Sequence, residues 1–159
     1  MRGWHNEPQR HSLAARGVPS KYFYHGTTSA LYRGIKKDGL KINPPFKYWR
    51  ESDDFVYLAF DEEDAERWGR KATEFLIKHY DEIVKGYVPV YYREAVGKRG
   101  VPGFISKTRP IVLRIDKDYI MEYEDLLFED PEDDVAFLSN IPPEYIEVKT
   151  PSGWKRLKK

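Results

Sequence analysis

Apolar positions in this chain alternate in short runs or cluster in short blocks, and a few stretches carry helical spacing. Lys21 to His25 (KYFYH) predicts a short aromatic strand ending at Gly26. Thr28 or Ser29 then offers a helix cap. Leu31 and Ile35, at i and i+4, share one face of a helix that stops at Gly39. Residues 41–54, rich in proline, aromatics and charge, predict a loop. Phe55 to Phe60 (FVYLAF) predicts a second strand. Asp61 caps the helix after it, Glu62, Glu63 and Asp64 suit its positive end, and Ala65, Trp68, Ala72, Phe75 and Leu76 recur along it.

The second half is richer in strands. VPVYY (88–92) is strand-like, and residues 93–108 predict a basic loop holding Gly97, Gly100 and Gly103. RPIVLRI (109–115) predicts a strand, with Pro110 marking an edge or a strand beginning. Residues 121–133 are acidic and predict exposed chain. VAFL (135–138) is a further strand, Ile141-Pro142-Pro143 a rigid turn, and YIEV (145–148) a final strand. Ahead of all this, Asn6 can cap a short helix with Glu7 and Pro8 in its first turn and Gly17 at its end. The expected organisation is an N-terminal helical extension over 1–20 and one domain over 21–159. Strands with two or three helices, mostly in the first half, indicate an α+β fold rather than regular βαβ alternation.

Composition narrows the function classes. The 159 residues suffice for one domain with a single core, and 40% hydrophobic with 15% aromatic content excludes a disordered chain. Twenty-seven basic and 26 acidic residues nearly cancel to a net charge of +1, which makes no general case for nucleic-acid binding. The absence of cysteine excludes disulfides and cysteine-ligated zinc. With a polar N-terminus and no apolar run of membrane-spanning length, the expectation is a cytoplasmic protein with no membrane partner.

Several side chains are candidates for chemistry. His25 ends an aromatic strand and is followed by Gly26 and Thr27. A glycine there admits close backbone approach by another molecule, and the histidine can donate a hydrogen bond at a defined height. A strand-end histidine bonded to a nearby carbonyl fits the same pattern. Tyr57 and Trp68 are most simply core aromatics, or they sandwich a flat heteroaromatic ring. Glu132, Asp133 and Asp134 are a solvated turn, or supply a carboxylate that stabilises a developing cation. Gly97, Gly100 and Gly103 with Lys98, Arg99 and Lys107 form a weak phosphate-grip pattern. There is no Walker loop, G-x-G-x-x-G, H-E-x-x-H or G-x-S-x-G, and the four histidines lack ligand-like spacing, so no metal is expected.

Taken in order, three pieces resemble the ADP-ribosyltransferase superfamily, in its histidine–tyrosine–acid branch of diphtheria-toxin-like and poly-ADP-ribose-polymerase-like domains. They are Tyr24-His25-Gly26-Thr27 with a helix and Gly39-Leu40, then Val56-Tyr57-Leu58-Ala59 with a helix carrying Ala65 and Trp68, then an acid ahead of a strand running into Ile141-Pro142-Pro143-Glu144-Tyr145-Ile146. The resemblance covers about residues 21–150 and implies a split β-sandwich of two small, mainly antiparallel sheets with flanking helices and NAD+ in the cleft. It implies NAD+ as substrate, held by His25 on the ribose, by the Gly26 backbone on the carboxamide with Thr27 beside it, and by Tyr57 and Trp68 as stacking aromatics. His25, Tyr57 and an acid, Asp134 or Glu132, would form the catalytic set. The implied activity is mono-ADP-ribosylation of a macromolecular target, protein rather than nucleic acid, in the manner of small phage and bacterial members.

Two residues depart from the family pattern. Asp134 stands where glutamate is usual, and Ala65 stands where a serine often contacts the carboxamide. These departures leave open a catalytically weak NAD+- or ADP-ribose-binding module of the same fold. RNA 2'-phosphotransferases share that fold and also use NAD+, but their set of arginines and histidines on phosphate is not found here.

Overall fold

The first aromatic strand runs further than its local sequence indicates. In the computed structural model, which describes residues 20–42, 55–78, 106–129 and 135–158, β1 spans Tyr22–Thr28 and carries on through Gly26 and Thr27. The extension has a partner: β3 (Pro110–Asp116) pairs antiparallel with all of β1, from Tyr22↔Asp116 to Thr28↔Pro110. Pro110 therefore opens a strand rather than lying on an edge strand, since β3 is central in the sheet order β1-β3-β6-β7. The strands β6 (Ile146–Thr150) and β7 (Gly153–Arg156) complete this sheet as a hairpin. A second sheet has the order β2-β5-β4, with β2 at Val56–Leu58, β4 at Leu127–Glu129 and β5 at Val135–Phe137. Every pairing in both sheets is antiparallel. The protein is an α+β fold built on two small sheets.

Alternation sorts the side chains to two faces. Phe23, Leu113, Ile115 and Ile146 of the first sheet meet Leu58, Leu127, Val135 and Phe137 of the second in one buried cluster. The opposite face of the first sheet carries Tyr24 and Val112, which pack with Ala59, Ala65 and Trp154. There lies α2 (Glu62–Lys78), after the shorter α1 (Tyr32–Asp38). Asp61 caps α2 as expected, its carboxylate accepting the Asp64 N–H at 2.8 Å. Ala65, Gly69, Ala72, Thr73 and Leu76 form the buried stripe. Lys149 on β6 forms ion pairs with Glu62 and Glu66 and so clamps the first turns of α2 to the sheet. That pairing with Glu62 raises the Lys149 pKa.

Other expectations need correction. Thr28 and Ser29 do not cap through their side chains; a 3-10 turn (Ser29–Leu31) precedes α1. Both hydroxyls instead bind the backbone of Arg109 beside β3, Thr28 donating to its carbonyl and Ser29 accepting its N–H at 3.0 Å. Gly39 does end α1, with φ of 80°, and an added Cβ would collide with the Ile141 carbonyl oxygen. The acidic stretch 121–133 is not simply exposed. It contains the end of α3 (Lys117–Glu122), a 3-10 turn (Glu124–Leu126) and β4, and it buries Leu127 completely. Glu122 and Asp125 are exposed while Leu127 reaches the core. Ser106 and Lys107, the described end of the basic stretch, are helical. Residues 1–19, VPVYY 88–92 and the glycine-rich 97–103 stretch lie outside the described residues, so the proposed extension and phosphate grip are not among them. No helix of the described residues is long and apolar enough to cross a membrane.

Candidate active site

The two sheets meet at β1 and β2, and their junction is a single antiparallel bridge. Tyr24 N–H donates to Ala59 C=O at 2.9 Å and Ala59 N–H to Tyr24 C=O at 2.7 Å. Two residues further along, a continued ladder would set Gly26 opposite Tyr57. That rung is replaced by a side chain. His25 Nδ1 lies 2.7 Å from the Tyr57 carbonyl oxygen. A carbonyl only accepts, so Nδ1 carries the proton and donates. Burial holds the His25 pKa below its ordinary value, outweighing the bond to Tyr57, which raises it. The ring is therefore neutral near pH 7, and Nε2 is an acceptor. The donor role expected from sequence is used inside the protein, and a ligand meeting Nε2 would have to supply the hydrogen.

Gly26 inherits the interrupted ladder. Backbone groups alternate sides along an antiparallel strand, so its N–H and C=O point the same way as those of Tyr24, toward β2. Among the described residues no backbone hydrogen bond joins Gly26 to β2. The reason for a glycine is more specific than the sequence indicated. A Cβ at Gly26 would strike the Ala65 carbonyl oxygen and lie 2.6 Å from the Gly69 nitrogen. The close approach is made by α2 itself. Gly69 answers from the helix, where a Cβ would sit 3.1 Å from the Thr27 oxygen and 3.2 Å from the Ile111 oxygen. Two facing glycines bring α2, and with it Trp68, down onto β1.

Of the remaining candidate residues, Thr27, Tyr57 and Trp68 are described. Thr27 is buried on the strand face toward the core, so its side chain offers little surface to a ligand. Tyr57 is half-buried in the middle of β2, on the face opposite Val56 and Leu58. Register places Ala136 beside it and Phe128 next in line, a small residue between two aromatics across the three strands. The sequence did not single out Ala136 or Phe128; only the pairing of β4 with β5 aligns them with Tyr57. Phe55 adds a ring 6.2 Å from that of Tyr57. Trp68 is half-buried beside the packing stripe of α2, with the Lys71 ammonium 4.8 Å from its ring centroid. The fold thus joins His25 to Tyr57 directly and sets the helix of Trp68 against Gly26. Asp134 and Glu132 lie outside the described residues; β5 begins at Val135, opposite Leu58. The described residues hold no group of three or more histidine, cysteine or acidic side chains placed to bind a metal.

No protein-family model matches the chain, and no curated protein matches it.

Proposed function

We propose that the chain binds NAD+ at the parting of β1 and β2, breaks its nicotinamide–ribose bond and transfers ADP-ribose to a macromolecular target, protein rather than nucleic acid. The observation that carries this proposal is the interrupted rung at Gly26, beside a histidine anchored to the Tyr57 carbonyl. A carboxamide has one C=O and an N–H edge, the complement of a peptide group, so nicotinamide would take the rung that Tyr57 gives up. The neutral Nε2 of His25 would accept from a ribose hydroxyl. Tyr57 and Trp68 would offer ring faces to the pyridine. Two antiparallel sheets that share a core and part at one bridge also support the split β-sandwich of the ADP-ribosyltransferases.

The chemistry asks for positioning and charge stabilisation. The carbon–nitrogen bond breaks with its electron pair going to nicotinamide, which leaves neutral. Positive charge passes to the ribose. Asp134, or Glu132 two residues earlier, would stabilise it, a contact typically worth about 3 kcal/mol in the transition state. A nucleophile on the target then bonds to the anomeric carbon and releases its proton.

The test is incubation with labelled NAD+ and cell extract, following nicotinamide release and label transfer. Both are expected, and Asp134→Asn should lower the rate by about a hundredfold. Absence of release and transfer under all conditions would sink the proposal. Asp134 in place of glutamate and Ala65 in place of serine favour one alternative, a binding module of the same fold. Calorimetric NAD+ binding without turnover, unchanged by Asp134→Ala, would identify it.

A further inference from the structure

The described residues have two exposed large hydrophobic side chains, Tyr123 at 46% and Tyr145 at 39% exposure, and both lie in one place. Tyr145 ends the 3-10 turn Pro143–Tyr145 and stacks on Tyr119 of α3, with ring centroids 4.1 Å apart and planes at 22°. Tyr123 meets the same Tyr119 ring at 5.4 Å and 57°. The stack fastens the turn to α3, which accounts for Tyr119. It does not account for the outward surface of the other two rings.

Carboxylates flank the three tyrosines along the chain. Asp118, Glu122, Asp125 and Glu144 are all exposed. Among the described residues none of these four carboxylates is in an ion pair. The nearby cation Arg156 is already committed, at 3.2 Å to Asp116, 3.8 Å to Glu147 and 2.9 Å to the Glu144 carbonyl. Lys117 is the one basic residue of α3, and it has an interaction of its own.

We propose that Tyr119, Tyr123 and Tyr145, with the exposed carboxylates that flank them along the chain, form a docking surface for an arginine-rich segment of a protein partner. A guanidinium stacks on a tyrosine face and donates to carboxylates in the same plane. The protein uses this chemistry internally. Arg114 lies 3.9 Å from the Tyr22 ring centroid and 4.5 Å from that of Trp154 while donating to Glu147 at 2.6 Å. A nucleic acid or an anionic membrane would instead bring phosphates against four carboxylates. The surface is separate from the candidate active site. It follows Asp116, which pairs with Tyr22, whereas Gly26 pairs with Val112, roughly 13 Å back along β3 at the usual rise per residue. The proposal does not depend on NAD+ chemistry.

The test titrates labelled octa-arginine with the full chain by fluorescence anisotropy, with octa-lysine and a short DNA duplex alongside. Saturable octa-arginine binding is expected, tighter than octa-lysine and weakened by salt. Tyr123→Ala and Tyr145→Ala should each weaken it about three- to fivefold, and Tyr123→Phe should leave it intact. Glu122→Gln with Glu144→Gln should weaken it and flatten the salt dependence. A melting curve checks each variant. If Tyr145→Ala loosens the fold, Tyr123→Ala, which is more exposed, decides. Absence of saturable octa-arginine binding, or binding indifferent to Tyr123→Ala, would overturn the proposal. So would duplex binding that is tighter than octa-arginine and lost in the same variants.

Discussion

Replacing Gly26 with alanine tests the packing on which the candidate site rests. The new methyl would meet the Ala65 carbonyl oxygen and lie 2.6 Å from the Gly69 nitrogen. Both are backbone atoms of a helix interior, so neither can rotate away. Relief requires α2 to rise from β1, against the burial of Ala65, Ala72 and Leu76 and the Lys149 ion pairs. Overpacking usually costs about 1–3 kcal/mol, and rigid collision partners place this case at the top of that range. Alanine's entropic advantage over glycine in a strand returns about 0.5–1 kcal/mol. The expected net loss is therefore about 2–2.5 kcal/mol. With a urea m-value of about 2 kcal/mol per molar, the unfolding midpoint should fall by roughly 1–1.25 M.

Gly69→Ala is the control. Its Cβ contacts of 3.1 to 3.3 Å need shifts of only tenths of an ångström. Alanine gains about 1 kcal/mol of helix propensity there, so the net change should be within about 1 kcal/mol of zero. Equal or greater destabilisation by Gly69→Ala, or an unchanged midpoint for Gly26→Ala, would refute the account of facing glycines.

Two further outcomes follow from the same structure. His25 has a folded pKa below its unfolded value, so the unfolded state takes up the proton first. This contribution to stability is complete above about pH 6.5 and is lost as pH falls toward the folded pKa, by at most about 1.4 kcal/mol per pH unit. Unfolding free energies of wild type and His25→Gln should converge as pH falls from about 7.5 to about 5.5. Divergence in wild type's favour would contradict the neutral, Nδ1-protonated ring. Leu127→Ala should cost about 3–5 kcal/mol in denaturant unfolding, because Leu127 is fully buried in β4; a cost below about 0.5 kcal/mol would mean that this stretch is surface chain after all.

Much of the scaffold is legible along the chain. Asp61 before three acids and a helical stripe announces α2, and Gly39 announces the end of α1, because capping and left-handed backbone depend on a few adjacent residues. The strands at Val56, Pro110, Val135 and Ile146 are readable from their apolar runs. The strands at Leu127 and Gly153 were not. Three apolar residues, Leu126 to Phe128, among many acids carry too little periodicity, and only pairing with β5 makes them a strand. Likewise β7 exists because Gly153, with φ of 120°, turns the chain back on β6.

For the candidate site, the candidates can be read along the chain: an aromatic strand with His25 and Gly26, a second strand with Tyr57, and a helix with Trp68. Tertiary structure decided what they do to one another. It gave the His25 proton to a carbonyl 32 residues away and laid a helix over the Cα of Gly26, leaving open only the backbone edge toward β2. Periodicity reports which face of an element is apolar. The partner of a polar atom or of a missing Cβ is set by how separate elements close on each other, and no local pattern encodes that distance.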